Sequence, residues 1–322
     1  MIILRTKVLE IIIAILLGLL IPSLLVLMLQ DRQIKDSPVS EPRSTEQADK
    51  QTNDISLLTD GGKIMHIPLE EYVISVVLSE MPADFEPEAL KAQAVVARTY
   101  ALRRTVKSGK HNDATVCTKS SCCQGYISPE AYRNKGGKQA NIDKISNAVY
   151  ATAGLVLVYD GKLIDATYFS CSGGSTEDAQ SVWGTEVPYL KSVKSPGEEG
   201  ATHYVDSKQF SAAEFSSKLG LSETQTIKIG TPEYTAGGGI SYLDINGQRF
   251  TGTQLRKLLK LRSTAFYITL VGKTVTITTK GHGHRVGMSQ YGADAMAISG
   301  ATYDQILQHY YSGVELIPFV FD

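Results

Sequence analysis

The sequence predicts an α+β fold in which helices are mixed with antiparallel β-hairpins. Three tight-turn pairs, each between apolar runs, predict hairpins at Asp160-Gly161, Asn246-Gly247 and Gly272-Lys273. A long segment that begins at Pro87 and ends near Val106 predicts a helix. Proline suits the first helical position, and basic residues collect at the far end, where they complement the helix dipole.

The apolar stretch Leu69–Leu78 precedes that helix, and its pattern fits either a buried helix or a strand. Met81-Pro82 ends the stretch, because the residue before a proline is pushed out of the helical region. Further along, Lys162–Phe169 predicts the returning strand of the first hairpin.

Capping-box patterns predict two shorter helices in the second half of the chain. One begins at Ser211–Glu214 and ends at Gly220, and the other begins at Thr302–Gln305 and ends near Gly313. The residues from about 195 to 280 are dense in hairpin signals, so they predict a β-rich lobe within a larger domain.

The N-terminal region predicts a membrane anchor. Residues 11–29 form an uncharged run of nineteen residues, which as a helix would span ~28 Å, close to the thickness of a bilayer core. Arg5 and Lys7 precede the run, so residues 1–10 are expected in the cytoplasm and the rest outside the cell. A cleaved signal peptide is the alternative, although the run is long for one.

Residues 30–56 are polar and charged and contain almost no large apolar side chains, which predicts a flexible linker. The catalytic ectodomain is then expected over residues 57–322. The formal net charge of the chain is -1, which argues against a nucleic-acid partner, because phosphate binding needs a basic surface.

Glu80 is the candidate catalytic acid. It ends the most apolar stretch of the ectodomain, and a carboxyl group held against apolar surface has a raised pKa, as a general acid requires. Lys91 and Arg98 lie seven residues apart on one face of the next predicted helix, which indicates a positive surface toward a cleft. Cations that pair with structural carboxylates would give the same pattern.

A cluster of soft ligands follows that helix, at His111, Cys117, Cys122 and Cys123. These residue types suit a structural zinc ion, and the polar loop between them would gain most from such a cross-link. The spacing is not that of a standard zinc finger, and disulfides remain an alternative in an exported protein. Cys171 is a further candidate ligand or a buried thiol.

A glycine-rich loop carries His282 and His284 and leads into a predicted helix from Met288 to Ile298. Alternation along an extended chain would place both rings on one side. The favoured interpretation is that they bind sugar hydroxyls on the second wall of a groove, and metal binding is the alternative. Tyr168 and Ser170, at the end of a predicted strand, are further groove candidates.

Four ordered motifs resemble the stage II sporulation protein D family. They are Ile67–Pro82, Pro87–Tyr100, Tyr168–Gly174 and Gly281–Gly292, and together they reach across nearly the whole ectodomain.

The resemblance implies a lytic transglycosylase that cleaves the β-1,4 bond between N-acetylmuramic acid and N-acetylglucosamine in peptidoglycan. It implies that Glu80 is the acid/base and that strands stripped of stem peptides are preferred. It also implies that a basic pair and an aromatic ring bind the substrate, here Lys91, Arg98 and Tyr168. Gln290 and Tyr291, in the last motif, are further candidate substrate-binding residues. Some members of the family carry zinc near the cysteine loop, and others do not.

The resemblance further implies work at the engulfing membrane of a spore-forming cell, on the mother-cell side of the septum. The implied partners are a peptidoglycan amidase/endopeptidase (stage II sporulation protein P) and a membrane scaffold (stage II sporulation protein M). Two other functions remain open from the residues alone. One is a zinc-dependent cell-wall hydrolase or amidase that uses His282 and His284, and the other is a scaffold that binds glycan without cleaving it.

Overall fold

A computed structural model describes residues 54–106, 111, 113–223 and 226–320. Its helices and antiparallel sheets confirm the predicted α+β class. The helices are α1 (Leu69–Glu80), α2 (Pro87–Val106), α3 (Pro129–Asn134), α4 (Gln139–Ala151), α5 (Ala179–Trp183), α6 (Ala212–Leu219), α7 (Gly252–Leu258), α8 (Gln290–Ile298) and α9 (Tyr303–Tyr310).

The strands are mostly short and form small sheets. They are β1 (Asp54–Leu58), β2 (Ile64–Pro68), β3 (Val116–Cys117), β4 (Leu155–Tyr159), β5 (Lys162–Leu163), β6 (Tyr168–Phe169), β7 (Val205–Ser211), β8 (Glu233–Tyr234), β9 (Ile240–Ile245), β10 (Gln248–Thr251), β11 (Phe266–Val271), β12 (Thr274–Lys280), β13 (Met288–Ser289) and β14 (Glu315–Pro318).

The apolar stretch before Met81 is a helix, α1, rather than a strand. It is buried around most of its circumference, as expected of a helix that is apolar on every side. Glu70 and Glu71 lie in its first turn, where carboxylates complement the helix dipole. Met81 is extended, as the following proline requires, and this ends the helix directly after Glu80.

Helix α2 occupies the predicted range and packs against α1, α4 and α8 in the main core. Small side chains on α2 are fully buried and let the neighbouring helices approach closely; these are Ala89, Ala92, Ala94 and Ala97. Helices α1 and α2 therefore fix the position of the chain on either side of Pro82.

All three predicted hairpins form, as the pairs β4–β5, β9–β10 and β11–β12. At the first two turns both central residues have positive φ, at Asp160 (51°) and Gly161 (69°) and at Asn246 (52°) and Gly247 (79°). This is the type I′ geometry that matches the twist of the flanking strands.

The strand predicted over Lys162–Phe169 is wrong in its extent. Only β5 continues the hairpin, whereas β6 leaves it and pairs in parallel with β13. The helix predicted from Met288 likewise begins two residues later, because Met288 and Ser289 form β13. This long-range pairing brings the Tyr168 segment beside the histidine loop.

Both capped helices form as predicted. The Ser211 side chain accepts from the backbone N–H of Glu214 at the start of α6, and Gly220 ends that helix in the left-handed conformation. At the start of α9 the Gln305 side chain accepts from the backbone N–H of Thr302.

A second, smaller core lies between Phe210 and Ile277. It is built from α6, α7 and the hairpin strands, and its largest buried side chains are aromatic and aliphatic rather than polar. It falls within the residues for which a β-rich lobe was predicted, and the boundaries of that lobe stay a prediction.

Strand β1 starts at Asp54 and pairs with β2, so the folded part already includes residues 54–56. The linker predicted to reach residue 56 is therefore too long by at least three residues. The predicted anchor at 11–29 lies outside the described residues. Within the described ranges, no helix is both long and apolar enough to cross a bilayer.

Candidate active site

A groove of about 630 Å³ opens beside the end of α1. It gathers residues from α1, α2, the cysteine loop, β6 and the histidine loop. The lining residues are Glu80, Tyr100, Arg104, Ser120, Cys123, Thr167, Tyr168, Phe169, Ser170, His282, Gly283 and His284. Five predicted site residues thus share one groove: Glu80, Tyr168, Ser170, His282 and His284.

Glu80 has the environment of a general acid. Burial raises the pKa of its carboxyl group above the usual value, and hydrogen bonds from Gly125 and Tyr168 partly oppose that shift. Its place at the C-terminal end of α1 also raises this pKa, because the dipole at a helix C-terminus disfavours negative charge. Glu80 can therefore hold a proton at a pH where an exposed glutamate has lost it.

Two contacts fix Glu80 in place. The backbone N–H of Gly125 donates to Oε1 of the carboxyl group, and the side-chain amide of Gln290 donates to the backbone oxygen of Glu80 at 3.0 Å. A side chain at position 125 would not fit, since an added Cβ would lie 2.8 Å from Glu80 Oε1. Gly125 could not be recognised from the sequence, where its one signal is a glycine directly after the polar cysteine loop.

A hydrogen-bonded chain runs behind the carboxyl group. The Tyr168 hydroxyl donates to Gln124 Oε1 at 3.2 Å, and Gln124 Nε2 donates to the Tyr72 hydroxyl at 3.0 Å. Burial, followed by the nearby charge of Glu80, raises the pKa of Tyr168 well above its ordinary value. Tyr168 therefore stays a neutral phenol beside the Glu80 carboxyl group.

The histidine loop forms the opposite wall, and its two rings have different surroundings. His284 Nδ1 accepts the backbone N–H of Val286 at 3.1 Å, and burial lowers the pKa of His284 to about 4. The ring of His282 instead meets His203 edge to face at 5.1 Å. Burial also lowers the pKa of His282, so both rings are neutral near pH 7.

This arrangement does not favour a metal site at His282 and His284. The described residues contain one group of three or more potential metal ligands, and it includes neither histidine. The ring of His282 faces His203, whereas the ring of His284 lies against Phe169 and Trp183, so the alternation expected of the His-x-His pair does not produce two converging ligands.

Arg98 is not in the groove, which corrects the role assigned to it from the sequence. Its side chain is fully buried and forms a forked ion pair with Glu70, with Nη2 to Oε2 at 2.5 Å and Nε to Oε1 at 2.9 Å. The backbone oxygens of Val149 and Leu155 accept its remaining hydrogen bonds. Arg98 thus joins three elements of the core and has no face left for a substrate.

Lys91 also lies away from the groove-lining residues. Its ammonium group pairs with Glu88 at 2.6 Å and stands 5.8 Å from the ring centre of Tyr303. Two other carboxylates near Glu80 in sequence do not line the groove either: Asp84 is exposed, and Glu88 also accepts the backbone N–H of Tyr303.

Gln290 and Tyr291 support the site from outside the groove. Gln290 is buried, and its side-chain amide donates to the backbone oxygen of Glu80, as described above. Tyr291 packs edge to face against Phe85 at 5.0 Å, and its backbone N–H donates to Ser170. Neither residue lines the groove, so their contact with substrate stays a prediction, while Gln290 tethers Glu80 and Tyr291 packs against Phe85.

The four predicted metal ligands converge. Ligand atoms of His111, Cys117, Cys122 and Cys123 all lie within 4.8 Å of one another, and His111 Nε2 is 3.2 Å from Cys123 Sγ. The adjacent cysteines both reach the cluster because their backbone N–H groups turn onto the Lys119 oxygen, at 3.0 and 2.8 Å. The chain thus has a candidate His/Cys metal site, and its Cys123 also lines the groove.

Comparison with known proteins supports the motif resemblance. The family model described as "Stage II sporulation protein" matches residues 59–159. The chain is 41% identical to stage II sporulation protein D of Bacillus amyloliquefaciens over 288 residues, which is 88% of this chain and 80% of the relative. The chain belongs to the stage II sporulation protein D family.

Two further relatives extend this membership. Stage II sporulation protein D of Bacillus subtilis (strain 168) is 39% identical over 319 residues, which cover 92% of each chain. A protein named "Amidase enhancer" from the same organism is 31% identical over 300 residues, which cover 76% of this chain and 40% of that protein.

Proposed function

We propose that this protein is a lytic transglycosylase that cleaves the β-1,4 bond between N-acetylmuramic acid and N-acetylglucosamine, with Glu80 as its acid/base. The observation that carries the proposal is a solitary, desolvated carboxyl group in a sugar-sized groove. Among the groove-lining residues that the structure describes, Glu80 is the single Asp or Glu. Most glycoside hydrolases need two carboxylates across the scissile bond.

One carboxyl group suffices if the substrate supplies the nucleophile. Glu80 first gives its proton to the glycosidic oxygen as the bond to C1 breaks. It then accepts the proton of the muramic acid C6 hydroxyl as that oxygen attacks C1 of the same sugar. The product is a 1,6-anhydro ring, Glu80 ends protonated again, and no water is consumed.

The rest of the groove suits an uncharged sugar ring. Tyr168 is a neutral phenol, Ser170 adds polar groups, and the two histidines are neutral. The family membership places the protein in sporulation, and the name of the amidase-enhancer relative points to cell-wall degradation.

Substitution of Glu80 tests the proposal. Glu80→Gln keeps the size of the side chain and an oxygen that can accept from Gly125, but it has no proton to give. We expect it to abolish cleavage of defined glycan strands while the thermal unfolding curve stays cooperative. A folded Glu80→Gln protein that still cleaves at the wild-type rate would overturn the assignment.

We further propose that His111, Cys117, Cys122 and Cys123 bind a structural zinc ion. Three thiolates and one imidazole form a common donor set for structural zinc, and a tetrahedral site with Zn–S bonds of ~2.3 Å needs ligand atoms as close together as these four. Zinc would cross-link a loop that leads, two residues after Cys123, to the Gly125 donor. Metal analysis of the purified protein should find about one zinc per chain, lost in Cys117→Ser.

The setting of the activity is also a proposal. Residues 11–29 would anchor the protein in the cell membrane, with the catalytic domain outside, on the mother-cell side of the engulfing septum. Peptidoglycan strands, stage II sporulation protein P and stage II sporulation protein M would be its partners. Protease added to intact cells should remove the ectodomain from a full-length protein that sediments with membranes, and a protein found entirely in the soluble fraction would contradict the anchor.

A further inference from the structure

The histidine loop contains a buried arginine directly after His284. Arg285 is 1% exposed, although His282, Gly283 and His284 before it line the groove. Its φ is 66°, in the left-handed region that a residue other than glycine enters at a cost in free energy. Such a conformation persists only where the surroundings hold it. The contacts of Arg285 therefore determine the course of the loop.

The Arg285 guanidinium group joins separate segments of the chain. Nε donates to the backbone oxygen of Ser172 at 2.7 Å, and Nη2 donates to that of Ser175 at 2.8 Å, both in the turn after β6. Nη2 also donates to the backbone oxygen of Gly237 at 2.7 Å, in the loop between β8 and β9. Nη1 pairs with Glu177 Oε1 at 3.1 Å, and the backbone oxygen of Arg285 accepts the N–H of Glu177 at 2.5 Å. Both the side chain and the backbone of Arg285 are thus held.

The loop between β8 and β9 is shaped to cover Glu177. Thr235 Oγ1 donates to Glu177 Oε1 at 2.8 Å, and the backbone N–H of Gly239 donates to the same oxygen at 3.0 Å. An added Cβ at Gly237 would lie 2.6 Å from Glu177 Oε2, and one at Gly239 would also collide with this carboxylate. Oε2 is buried and has no hydrogen-bond partner among the described residues. Because a buried charge needs compensation, Glu177 and Arg285 depend on each other.

This arrangement determines where the His284 ring lies. The Arg285 side chain extends into the interior, whereas the neighbouring His284 ring lies 5.7 Å from the ring of Phe169 and 5.5 Å from that of Trp183. His284 Nδ1 accepts the backbone N–H of Val286 at 3.1 Å, across the left-handed residue. Loss of the left-handed turn would break this contact, because its two partners stand on either side of Arg285.

We propose that Arg285 and Glu177 are a positioning pair, which fixes the His284 ring in the wall of the groove and makes that wall depend on the loop that leads into the second core. Neither side chain lines the groove, so the pair acts through the histidine loop and not on a substrate. The loop between β8 and β9 leads into β9, whose apolar side chains belong to the second core. The importance of the ring for cleavage rests on the proposed function, whereas the position of the ring does not.

Chemical modification of His284 tests the proposal without catalysis. Diethyl pyrocarbonate attacks accessible neutral imidazole nitrogens, and tandem mass spectrometry of the full-length protein gives the rate at each histidine. The His284 ring should react slowly in the wild type. Glu177→Gln/Arg285→Met removes both buried charges together, which limits the loss of stability. This double variant should raise the rate at His284 severalfold, and Arg285→Lys should give a smaller rise.

Glu70→Gln/Arg98→Met is the matched control, because it removes another buried, forked ion pair, whose partners belong to α1, α4 and β4. It should leave the rate at His284 unchanged. Under the proposed function, Glu177→Gln/Arg285→Met should also lose about 10²-fold in kcat/KM on defined strands, since a displacement of ~1 Å can cost that much. The control should keep the wild-type value.

Equal reactivity of His284 in the two double variants, measured where both are folded, would overturn the proposal. Thr235→Val removes one donor to Glu177 and serves if Glu177→Gln/Arg285→Met does not fold. It should give a smaller rise in reactivity, and the wild-type rate at His284 would then overturn the proposal. A released His284 ring with unchanged kcat/KM would support the positioning pair and count against a role of this ring in cleavage.

Discussion

The backbone N–H of Gly125 donates a hydrogen bond to the Glu80 carboxyl group across 45 residues of sequence. Position 125 is where the cysteine loop meets the end of α1, and an added Cβ there would lie 2.6 Å from Ser79 Oγ and 2.8 Å from Glu80 Oε1. The absence of a side chain is thus what allows the loop to hold the catalytic candidate.

Gly125→Ala should displace the Glu80 carboxyl group. A catalytic group misplaced by ~1 Å can cost about 10²-fold in rate, so we expect kcat to fall by about that factor with a smaller change in the unfolding free energy. Gly200→Ala is the control, because an added Cβ meets nothing within 4 Å there. Steady-state kinetics on defined strands would measure both, and unchanged kcat in Gly125→Ala would contradict the role of this contact.

The rate of cleavage should depend on the protonation of Glu80. Because burial raises its pKa, the protonated form persists above the range of a free glutamate, whose pKa is ~4.3. We expect kcat to fall as pH rises through the pKa of Glu80 in the complex, with the midpoint above ~4.3. A profile that falls at the value of an exposed glutamate would show that the groove does not desolvate this group.

The same pKa shift has a consequence for stability. A carboxyl group whose pKa is raised on folding stabilises the folded state fully below its unfolded-state pKa, and that contribution is lost as pH rises through the folded-state pKa. Glu80→Gln should therefore unfold at a higher temperature than the wild type near pH 7, and the difference should shrink toward pH 4. Thermal unfolding at several pH values would measure it, and a less stable Glu80→Gln protein at neutral pH would contradict the desolvation.

Arg98 should matter for folding rather than for binding. Removal of one partner from a buried ion pair costs about 3–5 kcal/mol, because the other charge is left without compensation. We expect Arg98→Ala to lower the free energy of unfolding, measured in urea, by about that amount. The double variant Arg98→Ala/Glu70→Gln should recover part of this loss. Normal stability together with weakened glycan binding would restore the substrate role predicted from the sequence.

Removal of zinc should loosen the cysteine loop. If zinc cross-links that loop, chelation should lower the unfolding temperature and reduce cleavage together, because the loop supplies the Gly125 contact. Cys171→Ser is a useful comparison, since Cys171 lies outside the cluster and donates to Glu198 at 3.2 Å. Equal effects of Cys117→Ser and Cys171→Ser, without bound metal in the wild type, would exclude the zinc proposal.

Local chemistry explains what could be predicted from the sequence. Type I′ turns at Asp160-Gly161 and Asn246-Gly247, the cap at Ser211 and the proline break after Glu80 each depend on a few adjacent residues. Glu80 was also recognisable, because it ends an apolar stretch directly before the proline break.

Long-range pairing explains what could not be predicted. The helix pattern places Lys91 and Arg98 on one face of α2. It does not show that Glu70, 28 residues before Arg98, pairs with this arginine inside the core. The strand at Tyr168 could not be bounded because its partner is Met288, 120 residues later. Arg104 is one of several basic residues at the end of α2, and the fold is needed to show that it lines the groove.

The most direct test of the proposed reaction is whether oxygen from water enters the new glycan ends. Denuded glycan strands would be digested by the full-length protein in water enriched in heavy oxygen, and the new ends weighed. Attack by the muramic acid C6 hydroxyl predicts anhydro ends that lack one water (~18 Da) and contain no heavy oxygen. Ordinary reducing ends that carry one heavy oxygen would show that water is the nucleophile and that the protein is a hydrolase.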